Sequence, residues 1–402
     1  MPTIAPFSRP LYVMAKPTGS LCNLQCKYCY YLEKKKLYNA QHSTMLMDDR
    51  TLETYIRQYI EAQTQPQVLF IWHGGEPLLR PLSFYKRVLE LQEPYTRRGY
   101  IIDNSLQTNG TLLTDEWCAF FREHNWLIGI SIDGPQELHD AYRHYPLASH
   151  NYSLSSLLSP LSSFHSVMRG IRLLQKHGVE WNAMGVVNDY NADHPLEVYH
   201  FYKEIGCKYI QFTPIVEGRS AMNVPMVRPF QYARFCCTIF DEWVRHDVGQ
   251  VFVQLFDATL ACWAGEPPSL CSMCPTCGHA GVIEHNGDVY SCDHFVFPEY
   301  LLGNIHRDTI TSMMYSKRQL QFGRDKYERL PHQCKVCQWL FACNGGCPKD
   351  RFCQTADGEP GLNYLCQDYR QFFAHVAPYM DFMKNELLHQ RSPANVMKWT
   401  LE

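Results

Sequence analysis

Two kinds of hydrophobic pattern alternate along the first half of the chain. Short, nearly continuous apolar runs are typical of strands buried on both faces, and the stretches between them repeat apolar residues at helical spacing. The predicted strands are residues 11–16, 67–72, 100–107, 127–132, 179–187 and 209–213. The predicted helices are residues 48–63, 81–97, 114–124, 167–177 and 195–205. Strand–helix units without hairpin turns predict a parallel sheet with right-handed crossovers, and six of them predict an open partial barrel of the α/β class.

The alternation stops near Ile215, which divides the chain into predicted segments. Residues 1–227 are the partial barrel, interrupted near 146–166 by a Ser/Leu-rich insertion with no assigned role. Residues 228–260 are a linking helix, 261–375 a small cysteine-rich α+β domain, and 376–402 a C-terminal helical tail.

Composition and charge exclude several classes of protein. Lys plus Arg (37) nearly balance Asp plus Glu (40), so no basic surface indicates a nucleic-acid partner. No apolar run approaches the roughly 18 residues of a membrane span. The N-terminal residues lack the apolar core of a signal peptide. The sequence therefore predicts a cytoplasmic protein without a membrane or nucleic-acid partner.

The 18 cysteines are the most informative residues. Cytosolic thiols are kept reduced, so they predict metal sites rather than a disulfide framework. Three stand near the start of the chain, at Cys22, Cys26 and Cys29. Ten crowd the last third: Cys271, Cys274, Cys277, Cys292, Cys334, Cys337, Cys343, Cys347, Cys353 and Cys366. The other five have apolar neighbours, which predicts small buried side chains.

The first three cysteines, spaced Cys-x3-Cys-x2-Cys, directly follow the first predicted strand. Three thiolates within eight residues can hold three irons of a 4Fe–4S cluster and leave the fourth iron open. An open iron can bind the amino and carboxylate groups of S-adenosylmethionine. A zinc knuckle is the alternative, but it needs a fourth ligand nearby. Small and polar residues at the ends of strands two to four would lie on the same rim, where α/β barrels bind ligands: Gly74, Gly75, Asn109, Ser131, Asp133 and Gly134.

These motifs resemble those of a known family. The cysteine spacing, an aromatic residue before Cys29 and the sequence Gly-Gly-Glu-Pro after strand two resemble the radical S-adenosylmethionine enzymes, whose core is a (β/α)6 partial TIM-type barrel. The series KPTGSLCNLQCKYCYYLEK, HGGEPLL, QTNGTLL, SIDGPQELHDAYR and GLNYLCQDY is similar to the anaerobic sulfatase-maturating enzymes, over residues 10–380. The resemblance implies five S-adenosylmethionine contacts: Tyr28, Gly75, Ser131, Arg143 and Val216.

Eight of the C-terminal cysteines are spaced as two four-ligand sites, and tetrahedral zinc remains an alternative from spacing alone. The segment resembles the SPASM extension, which implies two auxiliary 4Fe–4S clusters that pass electrons. The implied ligands are Cys271, Cys277, Cys292 and Cys347 for one cluster, and Cys334, Cys337, Cys343 and Cys366 for the other. Cys274 and Cys353 match no ligand position.

Asp293 follows one of these cysteines, and on sequence alone a surface carboxylate is the simpler interpretation. The resemblance implies that Asp293 is the base that deprotonates a substrate cysteine or serine. His294 is the second candidate, since histidine titrates near neutral pH. Tyr31, Gln107 and Asn109 on the same rim are candidates for binding the substrate peptide.

The resemblance implies an oxidoreductase for post-translational modification under anaerobic conditions. A 5′-deoxyadenosyl radical removes a Cβ hydrogen from a Cys or Ser of an unfolded sulfatase, and Cα-formylglycine results. The implied partners are that polypeptide and an electron donor such as flavodoxin or ferredoxin, and the enzyme is expected to be a monomer. Alternatives are a SPASM-type maturase that crosslinks a ribosomally made peptide, and a zinc-binding scaffold without activity.

Overall fold

The structure is a computed structural model that describes residues 11–38, 45–146, 162–218 and 224–399. Its strands are β1 Tyr12–Lys16, β2 Gln67–Trp72, β3 Ile101–Thr108, β4 Leu127–Ser131, β5 Trp181–Val187, β6 Tyr209–Pro214, β7 Phe252–Val253, β8 Ala280–Glu284, β9 Asp288–Tyr290, β10 Leu301–Asn304, β11 Cys353–Gln354 and β12 Pro360–Leu362. Its α-helices are α1 Asp49–Glu61, α2 Leu82–Thr96, α3 Asp115–Glu123, α4 Gln136–Asp140, α5 Phe164–His177, α6 Pro195–Glu204, α7 Gln231–His246, α8 Gln254–Ala264, α9 Ile310–Met314, α10 Lys317–Glu328, α11 His332–Lys335, α12 Leu340–Cys343 and α13 Cys366–Leu388. The six predicted strands and five predicted helices are confirmed.

The chain divides into two compact units. The first contains Met1–Ile130, Arg143–Trp181 and Gly278–Gly323, and the second contains Ser131–Tyr142, Asn182–Cys277 and Arg324–Glu402. These units do not follow the predicted boundaries at residues 227, 260 and 375, which stay predictions. No helix in the described parts of the chain is both long and apolar enough to cross a membrane.

Two predicted segments differ from the structure. The predicted linking helix at 228–260 is two helices, α7 and α8, because Gly249 adopts a φ of 80° in the turn between them. Most of the predicted insertion, residues 147–161, lies outside the described residues. The predicted end of the insertion, near residue 166, is wrong, since α5 already begins at Phe164.

In the first unit, the strands are ordered β10-β9-β8-β1-β2-β3-β4. β1 to β4 and β8 are parallel, whereas β9 runs antiparallel to both of its neighbours, β8 and β10. The pairing of β8 with β1 is long-range in sequence and sets Lys16 opposite Glu284. It thereby brings a segment from the cysteine-rich part of the chain to the end of the first strand.

Helix α1 holds this sheet through tyrosines on its buried face. Tyr55 Oη donates to Val13 O at 2.7 Å, and Tyr59 Oη donates to Leu69 O at 2.9 Å. Both side chains are at most 1% exposed, so these bonds satisfy phenols that would be costly to bury unpaired. They fix β1 and β2, whose ends carry the candidate site.

The second unit contains the parallel strands β5, β6 and β7 and the long helices α7 and α13. Aromatic side chains fill its core, with Phe240 against Phe372 and Tyr379 edge to face. Asp368 of α13 accepts hydrogen bonds from the Phe230 and Ala233 amides at 3.2 and 2.9 Å. This carboxylate caps the start of α7, where amides lack partners within the helix.

Candidate active site

The first cysteines lie in a loop at the end of β1, here called the cysteine loop (residues 17–31). The Leu24 amide donates to Cys22 Sγ at 3.4 Å, and the Cys29 amide donates to Cys26 O at 3.1 Å. Burial, the Glu76 carboxylate and the Cys26 thiolate together raise the pKa of Cys22 to about 12. Crowded thiolates of this kind are stable when a metal supplies the positive charge.

Gly75 allows the end of β2 to contact this loop directly. Its amide donates to Gly19 O and the Glu76 amide donates to Leu21 O, both at 2.8 Å. A Cβ atom on Gly75 would lie 1.9 Å from Leu21 O, so a side chain would push the loop away. Glycine is therefore required here for close packing of backbone on backbone.

Glu76 is a functional candidate that the sequence analysis missed. Its buried carboxylate accepts hydrogen bonds from Thr108 Oγ1 at 2.7 Å, the Asn109 amide at 2.8 Å and the Leu78 amide at 2.9 Å. Burial nevertheless raises its pKa to about 7. The carboxylate joins the ends of β2 and β3 beneath the cysteine loop.

Two of the predicted S-adenosylmethionine contacts lie together in the first unit. The Arg143 guanidinium stands 5.4 Å from the centroid of the Tyr28 ring, within cation–π distance. The adjacent His144 carbonyl accepts from the Gln25 amide at 2.8 Å, which ties this segment to the cysteine loop.

Gly75 also belongs to the first unit, whereas the remaining two predicted contacts, Ser131 and Val216, belong to the second. Ser131 ends β4, and the Val216 carbonyl accepts from Lys349 Nζ at 3.0 Å. The roles of all five residues in binding S-adenosylmethionine stay predictions.

Asp293 is held in place from both sides, in a short turn that follows Cys292. Its Oδ1 forms an ion pair with Lys16 Nζ at 2.6 Å, and its Oδ2 accepts a hydrogen bond from Tyr30 Oη. The His294 ring packs against Tyr30 with centroids 5.0 Å apart. Asp293 is thus held by an ion pair and a hydrogen bond within the site at the end of β1, and it is not a solvated surface carboxylate.

The environment of Asp293 favours its ionised form. Burial raises its pKa, but the neighbouring charges and hydrogen bonds, above all the Lys16 ammonium, together lower it by more, so the net pKa lies well below its usual value. Burial and the Asp293 carboxylate raise the pKa of Tyr30 well above its usual value, so its phenol stays a donor. A carboxylate with a bonded phenol is an arrangement that can accept a proton from a substrate.

Lys16 and His73 complete the surroundings of Asp293. His73 Nδ1 accepts from the Gly74 amide at 2.7 Å and lies 3.2 Å from Lys16 Nζ. Burial and the Lys16 charge lower the pKa of His73 to about 4, which keeps the imidazole neutral. With two donors at Nδ1, the ring proton is on Nε2.

The three predicted substrate contacts differ in their surroundings. Tyr31 is 3% exposed, and its Oη has no hydrogen-bond partner among the described residues. Gln107 bonds to His73. Asn109 donates to Asn23 Oδ1 at 2.8 Å and accepts from Thr111, so its side chain supports the cysteine loop. Binding of the substrate by these residues stays a prediction.

Four of the C-terminal cysteines converge in the second unit. Cys334, Cys337, Cys343 and Cys366 line one cavity together with Trp339 and Tyr369. Burial and the thiolates of the other three cysteines raise the pKa of Cys343 to about 12. Among the described residues, no three His, Cys, Asp or Glu side chains stand at the spacing of a single metal ion. The thiols surround a cavity instead.

The other predicted ligand set is divided between the two units. Cys271, Cys277 and Cys347 belong to the second unit and Cys292 to the first. Burial raises the pKa of Cys277, and the Cys271 thiolate raises it further. Burial and the Cys277 thiolate also raise the pKa of Cys347. This ligand set stays a prediction.

A substitution in the cavity tests the second cluster separately. Cys343→Ala is expected to lower the iron content of the reconstituted protein by about four of roughly twelve irons per chain, because one cube loses a ligand. Formation of 5′-deoxyadenosine should persist, since the cysteine loop is unchanged. Cys353→Ala is the matched control, because Cys353 lies in the same unit but is not a predicted ligand. Equal iron loss in the two variants would contradict the assignment.

Comparison with known proteins supports this geometry. Residues 17–202 match the Radical SAM superfamily, and residues 271–338 match an iron-sulfur cluster-binding domain. A serine-type anaerobic sulfatase-maturating enzyme of Bacteroides thetaiotaomicron is 60% identical, and the match covers 98% of this chain and 96% of that relative. The chain belongs to the anaerobic sulfatase-maturating enzymes.

More distant maturases share the same organisation. A cysteine-type anaerobic sulfatase-maturating enzyme of Clostridium perfringens is 32% identical, over 94% of this chain and 99% of that relative. The solved structure of native anSMEcpe with bound AdoMet and Cp18Cys peptide superimposes with a TM-score of 0.81 at 32% identity, covering 94% of this chain and 100% of that one. This confirms the predicted partial barrel and SPASM extension. SuiB from Streptococcus suis, with a TM-score of 0.59, 14% identity and coverage of 90% of this chain and 78% of that one, shares the fold alone.

The sequence analysis missed Lys16, Tyr30 and His73 as members of this maturase site. One signal was available, since a lysine that ends an otherwise apolar strand at the ligand-binding edge is unusual. Tyr30 and His73 carried no comparable signal, because aromatic residues and histidines are common beside such loops.

Proposed function

We propose that this chain oxidises a Cys or Ser of a client sulfatase to Cα-formylglycine under anaerobic conditions. The observation that carries the proposal is Asp293, fixed by Lys16 and Tyr30 at the end of the strand that leads into the cysteine loop. Hydrogen abstraction and proton removal can then act on one substrate residue.

The residues present fit the implied cofactors. The cysteine loop offers three thiols. Because Gly75 has no side chain, this loop can contact the end of β2 closely. Four further thiols surround a cavity. Cys22, Cys26 and Cys29 would hold the first 4Fe–4S cluster, and the two C-terminal sets would hold the auxiliary clusters. When bound, the first cluster and S-adenosylmethionine supply a 5′-deoxyadenosyl radical that removes a Cβ hydrogen atom from the substrate.

The protein's own residues provide proton transfer and orientation. Asp293 accepts the proton of the substrate hydroxyl or thiol, and an auxiliary cluster, when bound, would accept the electron released by this oxidation. Tyr28 and Arg143 flank the cysteine loop and would orient S-adenosylmethionine. Tyr31, whose phenol has no hydrogen-bond partner among the described residues, would bind the peptide.

The proposed natural target is serine. Its support is the 60% identity to the serine-type Bacteroides enzyme, against 32% to the Clostridium perfringens cysteine-type enzyme. The alternative, crosslinking of a ribosomally made peptide, has no comparable support among the relatives of this chain.

The proposed partners are the unfolded sulfatase segment and a one-electron donor such as flavodoxin or ferredoxin. The enzyme acts as a monomer in the cytoplasm, where its thiols stay reduced for cluster assembly.

Two peptides with the same sulfatase motif, one containing Ser and one Cys at the target position, test the proposal. The reconstituted enzyme is incubated anaerobically with S-adenosylmethionine and a reductant, and the products are analysed by mass spectrometry. The Ser peptide is expected to lose two hydrogens and to react with aldehyde reagents, whereas an Ala peptide is unchanged. Conversion of the Cys peptide alone would contradict the serine assignment. Conversion of neither, with all clusters present, would contradict the function.

A further inference from the structure

We propose that Lys16 is the residue that positions Asp293, so that Oδ2 rather than Oδ1 of this carboxylate receives the substrate proton. The inference rests on the proposed function, because it concerns the proton that leaves the substrate hydroxyl. In that step the O–H bond breaks, the proton goes to Oδ2, and the bonding pair stays on the substrate oxygen.

The Lys16 ammonium is itself fixed in three directions. Its Nζ lies 2.6 Å from Asp293 Oδ1 and 3.2 Å from His73 Nδ1, and it stands 4.1 Å from the centroid of the Tyr31 ring. The side chain is fully buried. The ammonium is thus surrounded by an anion, a neutral imidazole and an aromatic face. Lys16 is therefore a rigid anchor for Asp293 Oδ1.

Asp293 is the counter-ion that remains for this lysine. Glu284 lies opposite Lys16 in the pairing of β1 with β8, but it is 1% exposed and its carboxylate is 3.6 Å from His285 Nδ1, beyond a normal hydrogen bond. Burial raises the pKa of Glu284, which favours its neutral form. The buried charge of Lys16 is thus balanced by Asp293, and this holds the carboxylate in one orientation.

The two oxygens of Asp293 are consequently not equivalent. Oδ1 points to a fully buried lysine, whereas Oδ2 accepts from Tyr30, a residue that is 37% exposed as a whole. An exposed phenol can move aside or share its acceptor with an incoming hydroxyl. Lys16 cannot do so, because it has no solvent to move into. Oδ2 is therefore the oxygen that a substrate can reach.

Substitutions on the two sides of the carboxylate should have unequal effects. Lys16→Met keeps the length of the side chain but removes the ammonium, and the ratio of formylglycine to 5′-deoxyadenosine should fall roughly 10²-fold, as for a misplaced catalytic group. The peptide KM should stay constant, since a buried Lys16 does not contact the peptide. Tyr30→Phe should change the ratio by less than about tenfold, the effect of one exposed hydrogen bond.

Lys34→Met is the matched control. Lys34 is 5% exposed, lies in the same unit, and has its ammonium 3.3 Å from the centroid of the Phe297 ring. The Lys34→Met variant therefore also removes a buried lysine that stands over an aromatic ring, but this lysine forms no ion pair with Asp293. Its product ratio should equal that of the wild type.

A double variant keeps the test valid if Lys16→Met folds poorly. In the double variant Asp293→Asn with Lys16→Met neither charge of the pair remains, and its product ratio should equal that of Asp293→Asn alone, because Lys16 acts through Asp293. A further large fall would overturn the proposal, as would a wild-type ratio in Lys16→Met or a larger effect of Tyr30→Phe. Absence of formylglycine from the wild-type enzyme would instead overturn the proposed function.

Discussion

Replacement of Cys26 by alanine is expected to abolish the formation of 5′-deoxyadenosine. Loss of this cysteine leaves two thiolates in the loop, and two thiolates cannot hold a cube with a single open iron. The iron content should fall by about four of roughly twelve irons per chain, and no formylglycine should form. The measurement is an anaerobic assay of 5′-deoxyadenosine by liquid chromatography together with iron and sulfide analysis.

Cys118→Ala is the control for this variant. Cys118 is fully buried in α3 of the same unit and is not a predicted ligand, so both iron content and 5′-deoxyadenosine should stay near wild type. Formation of 5′-deoxyadenosine by Cys26→Ala above the level without enzyme would contradict the assignment of Cys22, Cys26 and Cys29.

Asp293→Asn is expected to separate the two products. The amide keeps the shape of the side chain but cannot accept the proton, so formylglycine should fall by roughly 10²–10⁴-fold, the usual effect of losing a general base. 5′-Deoxyadenosine should still form, because the cysteine loop and the residues predicted to contact S-adenosylmethionine are unchanged. The informative quantity is the ratio of the two products.

Stability must be followed in the same variant, since Asp293→Asn leaves Lys16 without its counter-ion. Breaking such a partly buried pair costs roughly 3 kcal/mol, so iron content and thermal unfolding are measured alongside activity. Glu299→Gln, an exposed carboxylate of the same segment, is the control. A wild-type product ratio in Asp293→Asn would remove Asp293 as the base, and His294 would then be tested.

The sequence predicted the local elements well, because each carries its own periodicity. β2 was predicted over the residues observed, since an apolar run bounded by polar residues has clear ends. α1 begins one residue later than predicted because Asp48 is its N-cap and accepts from the Thr51 amide at 2.7 Å. The four cysteines that converge around one cavity, Cys334, Cys337, Cys343 and Cys366, are a ligand set that the resemblance to the SPASM extension implied.

The Asp293 site was only partly predictable, because it depends on a long-range pairing. Nothing in the periodicity of residues 280–284 indicates that they pair with β1, and a strand carries no local signal for its neighbour in the sheet. From the sequence, Lys16 is therefore interpreted as the polar end of a strand, although in the structure it is fully buried beside Asp293. A buried ion pair between residues this far apart in sequence becomes visible only in the folded chain.

The central claim is that the hydrogen abstracted from the substrate Cβ and the formylglycine produced come from the same residue. A sulfatase peptide carrying serine deuterated at Cβ tests it most directly. With the wild-type enzyme under anaerobic conditions, we expect deuterium in 5′-deoxyadenosine, and monodeuterated formylglycine in equal amount. Formylglycine formed while the 5′-deoxyadenosine contains no deuterium would contradict the account.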